Sequence, residues 1–249
     1  MITIQKQRVL LVLAVATATV LAAAAAGAAG DKDGEKTGNK TKTKTRRGGH
    51  PTYLYADSAF APAEVNRVAL VAFTNATTTA NAVDYFYRTL KETLREKPRY
   101  AVMDLAQVQR EAAKQNVKED HQALIRQWED HRTLVAETVR HFASALNAPL
   151  IMAGEISEWQ SEQVAWNVEG YSHSDVEVSL KLYSGETGAL VWEARDKVEL
   201  KSAPHDPRAS SGVVDDMNIQ RGSGQVVPPA PPIDDAAEDV AKNLVKALP

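Results

Sequence analysis

Two stretches of alternation, joined by a short turn, constrain this chain more than any other feature. In the first, Val176, Val178, Leu180 and Leu182 alternate with Glu177, Ser179, Lys181 and Tyr183; in the second, Leu190, Trp192, Ala194, Val198 and Leu200 alternate with Val191, Glu193, Arg195, Lys197 and Glu199. A period of two sends successive side chains to opposite faces of a strand. The pair therefore predicts two long strands, each with one dry and one wet face. Ser184-Gly185-Glu186-Thr187-Gly188 reads as the turn of an antiparallel hairpin, with glycines where a positive φ is expected.

The dry face needs cover, and the rest of the chain supplies it. Arg67 to Phe73 is an almost continuous apolar run, the signature of a strand covered on both faces. Asn75 and Thr77 to Thr79 offer turn and N-cap chemistry, after which Ala82, Val83, Phe86, Leu90 and Leu94 recur at helical spacing up to Lys97-Pro98. Tyr100 to Met103 reads as a short strand, and Asp104 caps a helix carrying Leu105, Val108 and Ala112. Asp120 to Asn147, free of Gly and Pro, suits one long helix or two. Leu150 to Trp159 is the next strand, and Asp234 to Leu248 returns as a closing helix with acids at its front and lysines behind. The expected fold class is α/β (α+β): a mixed central sheet with helices packed on it, a C-terminal antiparallel hairpin and a closing helix.

The first residues predict a different fate. Lys6 and Arg8 precede an uncharged stretch from Val9 to Ala26, and small residues follow up to Gly30. A positive region, an apolar region and small residues at the cut describe a secretory signal peptide over residues 1–30, with cleavage within 26–30. The rival reading is a retained anchor, since Val9 to Gly30 approaches the length that spans a bilayer; its Ala- and Gly-rich half partitions weakly into hydrocarbon. Residues 31–50 hold seven basic and three acidic side chains with several glycines and nothing apolar to bury, as expected of a disordered basic linker. Residues 51–249 then form a single α/β domain interrupted by a Pro/Gly-rich insert at 202–232. The chain has a net charge of −3, and 51–249 alone carries −9, which disfavours nucleic acid as a partner. With no cysteine, disulfides, thiol nucleophiles and a covalent lipid anchor of the lipoprotein type are excluded.

No motif supports an active site. A GxSxG elbow, a Walker loop, a dinucleotide fingerprint and an HExxH pattern are all absent from the sequence. His121, His131 and His141 fall ten residues apart, about 80° out of register on a helix, so they do not share a face. Glu155, Glu158, Glu162, Asp175 and Glu177 alternate with apolar residues, as a solvated sheet face does. No catalytic residue, cofactor or metal is expected. Trp159, Trp166 and Tyr171 gather in or beside one interstrand connection; aromatics in a polar loop serve as recognition anchors or fold back over the sheet. They are the candidate partner-binding residues.

Four segments carry a family resemblance. Arg67-Val-Ala-Leu-Val-Ala-Phe-Thr-Asn75, Leu90 to Met103, Ala145-Leu-Asn-Ala-Pro-Leu-Ile-Met-Ala-Gly154 and Leu180-Lys-Leu-Tyr-Ser-Gly-Glu-Thr-Gly-Ala-Leu-Val-Trp192 resemble, in order and spacing, the periplasmic domain of the LpoB family of penicillin-binding-protein activators. They resemble more distantly CsgG and the N-terminal domain of TolB. The resemblance implies a non-enzymatic accessory protein in the periplasm, associated with the outer membrane, acting through protein–protein interaction on an envelope protein partner. Its CsgG side implies an alternative: a homo-oligomer, as the ring-forming subunit of a secretion or motor-type complex. The segments at 160–172 and 202–232 have no counterpart in the family.

Overall fold

The computed structural model describes residues 50–60, 66–207 and 227–249. The expected signal peptide, nearly all of the basic linker and the middle of the Pro/Gly-rich insert lie outside these residues. Six strands form one mixed sheet: β1 (Tyr53–Ala56), β2 (Asn66–Asn75), β3 (Tyr100–Met103), β4 (Leu150–Glu162), β5 (His173–Ser184) and β6 (Leu190–Lys201). Their order is β1-β6-β5-β4-β2-β3. β2 is parallel to β3 and β4, and the remaining neighbours are antiparallel. The helices are α1 (Ala82–Arg95), α2 (Leu105–Lys114), α3 (Lys118–His131), α4 (Ala136–Leu146) and α5 (Ile233–Lys246). This is the α+β architecture that the alternation and helical spacing call for.

Each sheet face has its own core. On one side, α1 and α5 cover Val68, Leu70, Leu150, Met152, Val178, Leu180 and Leu182. On the other, α2, α3 and α4 cover Ala69, Val71, Ile151 and Ala153. This two-sided burial is why β2 reads as a continuous apolar run. Trp192 and Trp128 are fully buried on opposite faces. Each indole satisfies its N–H by donating to a carbonyl, Trp192 to Ala247 at 3.0 Å and Trp128 to Gly154 at 2.9 Å, which avoids the cost of burying an unpaired donor.

Local chemistry sets the element ends. Asp104 and Gln107 form a reciprocal capping box on α2. The 120–147 segment is two helices, divided where Arg132 turns left-handed (φ 54°). That residue is held there by bonds from its guanidinium to Glu155 and to the Trp128 carbonyl. Several expectations need correction. Asn75 makes the turn after β2, accepting from Thr77 N at 3.0 Å and donating to Thr79 O at 2.7 Å, but α1 starts at Asn81 without a side-chain cap. Of the hairpin glycines, Gly188 has the positive φ (73°). Gly185 is required instead by crowding, because a Cβ there would lie 2.6 Å from the Ala148 carbonyl oxygen. The wet face of β5 is not wet throughout: Tyr183 is buried in the second core, where its hydroxyl accepts from Leu134 N at 3.3 Å. Residues 53–56, unassigned by periodicity, are an edge strand.

Candidate functional site

The ends of β4 and β5 are joined by residues 163–172, and this connection rests on a buried polar base. Ser172 is fully buried. Its hydroxyl accepts from Val164 N at 3.1 Å and donates to Pro228 O at 2.5 Å. Its backbone N–H donates to Ser202 Oγ at 3.0 Å, and its carbonyl accepts from Ser202 N at 2.8 Å. Ser174, also fully buried, donates from its hydroxyl to Pro231 O at 2.6 Å and lies 2.9 Å from Ser161 Oγ. With one proton on each hydroxyl, Ser161 is the donor in that second contact.

The imidazole of buried His205 closes the arrangement. Its backbone exchanges two hydrogen bonds with Gly170, at 2.7 and 3.1 Å, and its Nε2 lies 2.8 Å from the Trp166 carbonyl oxygen. A carbonyl only accepts, so Nε2 carries the proton. The connection is therefore pinned from both sides, by residues 202–205 and by the prolines at 228–231.

On this base the side chains point outward. Trp166 is 67% exposed, Val168 49% and Tyr171 50%, with the Lys201 ammonium 5.9 Å from the Tyr171 ring. Trp159 is placed elsewhere. It is buried in the first core, 5.7 Å edge-on from Tyr85, and covers the sheet. The structure thus leaves Trp166 and Tyr171 exposed on the same connection, adds Val168 as its tip, and places Trp159 in the core. A pinned loop carrying large amphipathic side chains binds with little loss of conformational freedom, and exposed Trp and Tyr supply the area that dominates binding energy.

The carboxylates along β4, β5 and β6 have partners. Glu158 pairs with Lys197, Glu177 with Arg195, Glu193 with Lys181 and Glu155 with Arg132. The bond to Glu158 pushes the Lys197 ammonium above its ordinary value. Such pairs contribute about 0.2–1 kcal/mol each when exposed. Asp175 departs from the solvated face expected of it: it is 5% exposed. One of its oxygens lies 3.4 Å from His173 Nε2 and accepts from Gln160, while Oδ1 has no hydrogen-bond partner among the described residues. Burial pushes its carboxyl up, against the opposing pull of His173. Among the described residues, no group of three or more His, Asp or Glu is arranged to hold a metal ion.

Periodicity missed the buried serines and His205, yet a signal was present. The β5–β6 register pairs His173 with Lys201 and Ser174 with Leu200. Continued outward by one residue, that register sets Ser172 opposite Ser202, two small hydroxyl residues at the point where both strands leave the sheet.

No protein-family model matches the chain, and no curated protein matches it in sequence. Solved structures similar to it include the PelC dodecamer from Paraburkholderia phytofirmans, at 15% identity and a TM-score of 0.45 over 78% of this chain and 94% of that one. Lipoprotein GNA1162 from Neisseria meningitidis is similar at 14% identity and a TM-score of 0.41, covering 55% of this chain and 84% of that one. The LpoB C-terminal domain from Escherichia coli follows at 12% identity and a TM-score of 0.39, over 57% and 87%. LpoB is among these neighbours, and the likenesses to CsgG and TolB find no support there. At such identities the likeness concerns architecture alone.

Proposed function

We propose that this chain is a non-enzymatic exported accessory protein that binds a cell-envelope assembly through Trp166, Val168 and Tyr171. The observation that carries the reading is the exposed aromatic tip on a buried Ser172–Ser202–His205 base. Ordering such a loop in advance serves recognition, because the freedom lost on binding is already given up in the free chain. The ion-paired carboxylates of the open sheet face support the non-catalytic part, because each is held by a cation instead of standing free for proton transfer. Residues 1–30 direct export and leave as a signal peptide, residues 31–50 tether the folded part, and the sequence resemblance to the LpoB family supports the periplasm as its place of action. Among the described residues no helix is long and apolar enough to cross a membrane.

The test places a photo-crosslinking residue at position 166, 171 or 135 in cells. Val135 is a control, similarly exposed at the start of α4. Adducts with one envelope protein are expected from 166 and 171 and not from 135. Combined Trp166→Ala and Tyr171→Ala should cut recovery of that complex about tenfold or more, as loss of interface anchors does. Turnover of a small substrate by the purified chain, together with no adduct from either position, would sink the reading.

A further inference from the structure

Seven large hydrophobic side chains are exposed among the described residues, and three of them, Tyr53 (50%), Leu54 (50%) and Tyr55 (40%), are consecutive in β1. This strand is the sheet's edge. Natural edges are blunted by charge, proline or a covering element, because an apolar open edge recruits another strand. Here Thr52 to Ala56 carries neither a charge nor a proline.

The register shows which backbone groups are free. Tyr53 faces Arg195 and Tyr55 faces Glu193, and Asp57 N donates to Val191 O at 2.9 Å. In an antiparallel pair, alternate residues turn both backbone groups toward the neighbouring strand. The odd positions therefore bond β6, and Leu54 and Ala56 direct N–H and C=O away from the sheet.

We infer that β1 is a self-complementary docking edge that pairs two copies of this chain antiparallel about a two-fold axis through Leu54. In that register Leu54 of each copy exchanges both backbone bonds with Leu54 of the other, and Ala56 N–H reaches the Thr52 carbonyl of the second copy. Tyr53 of one copy then stands opposite Tyr55 of the other at the closely spaced type of pair, where aromatic side chains pack best. Each row through the joint runs Arg195, Tyr53, Tyr55, Glu193, the last two from the second copy, so neither row brings like charges together. A shift by two residues in either direction loses the Leu54 pair and exposes a tyrosine. The joint uses the same patch on both copies and closes on itself. So short a strand pairing lies at the small end of interface sizes, where association is weak and transient. The inference does not depend on the aromatic tip, which lies at a different part of the sheet.

Sedimentation of the exported chain from about 1 µM to about 500 µM should show monomer passing into dimer and no larger species. Leu54→Pro removes a donor that the chain's own sheet does not use, so it should weaken dimerisation about tenfold or more while leaving the circular dichroism spectrum unchanged. Because the chain has no cysteine, Leu54→Cys gives a clean second readout. Residues bonded face to face stand about 5.5 Å apart at Cα, within disulfide reach, so this variant should oxidise to a covalent dimer while Val135→Cys should not. A monomer throughout the range, a ring-sized assembly, a dimer indifferent to Leu54→Pro, or failure of Leu54→Cys to crosslink would each overturn the proposal. Dimerisation that appears only after removal of residues 31–49 would also overturn it, by showing that the chain's own leader occupies the edge.

Discussion

Removing one hydroxyl tests whether the candidate tip is as firmly built as its geometry indicates. Ser172→Ala deletes an oxygen that is fully buried and serves two partners at once, accepting from Val164 N and donating to Pro228 O. Both partners are main-chain groups of partly buried residues. A fully buried group left unpaired costs about 1–3 kcal/mol; partial burial puts each of these two in the lower half of that range, so the loss is about 2–4 kcal/mol, and alanine returns almost nothing because the change removes one atom. Val164 opens the connection and Pro228 belongs to the arm lying on it, so the loss falls on local opening of residues 163–172 before it reaches the sheet. Native-state hydrogen exchange reads this directly. At about 1.4 kcal/mol per factor of ten, protection of the Val164 amide should fall by about 30- to 1000-fold, with a smaller drop in the urea midpoint. Ser157→Ala removes an exposed hydroxyl with a long 3.4 Å bond and should change stability by less than about 0.5 kcal/mol. A change in Val164 protection below about threefold would show that Ser172 is not the clamp, and the argument for a preorganised tip would fall with it.

Two further predictions concern the scaffold. Gly188→Ala puts a Cβ 2.1 Å from the Ala136 carbonyl oxygen on a residue with φ of 73°, and combines left-handed strain with overlap against helix backbone. It should cost about 3 kcal/mol in urea unfolding, and a loss under about 1 kcal/mol would show that the hairpin turn moves freely away from α4. His121 is buried, stacks on Phe142 and places Nε2 3.3 Å from the Val71 carbonyl oxygen. Burial holds its imidazole below the ordinary 6.5, against the raising effect of that bond. The unfolded chain takes up its proton at about 6.5 and the folded chain resists, so stability is complete above that pH and declines as pH falls toward the folded value. Urea unfolding compared at about pH 7.5 and about pH 5 should show this loss in the native chain and not in His121→Gln; equal losses in both would assign the acid limb to other groups.

Much of the architecture was written in local pattern. Period two in 176–200 and period 3.6 in 82–94 and 237–248 each report which side of an element meets the core, and neighbours in sequence suffice to read them. Asp104 announced its helix in the same way, and the structure adds Gln107 as the second half of a capping box. The division of 118–146 into α3 and α4 was left open because the break is made by Arg132, a residue type with no turn preference. It is held left-handed by Glu155 from another strand. The aromatic candidates divide along the same line. Trp159, Trp166 and Tyr171 look alike in sequence, and only the position of Tyr85 on α1, over that part of β4, decides that Trp159 is covered while Trp166 and Tyr171 are not.

What the amino-acid sequence determined by itself was most of the elements, the alternation of the hairpin, the absence of thiol chemistry and the acidic character of 51–249. Tertiary structure decided the rest. It made an edge strand of Tyr53–Ala56 by pairing it with β6 across about 140 residues, covered Tyr183 on a face that alternation marks as wet, and converted Ser172, Ser174, Ser202 and His205 from scattered polar residues into one buried base. The physical reason is range. Periodicity and capping act within one or two turns of chain, whereas burial and hydrogen-bond satisfaction depend on which distant segment arrives at a face, and that is settled only when the sheet closes.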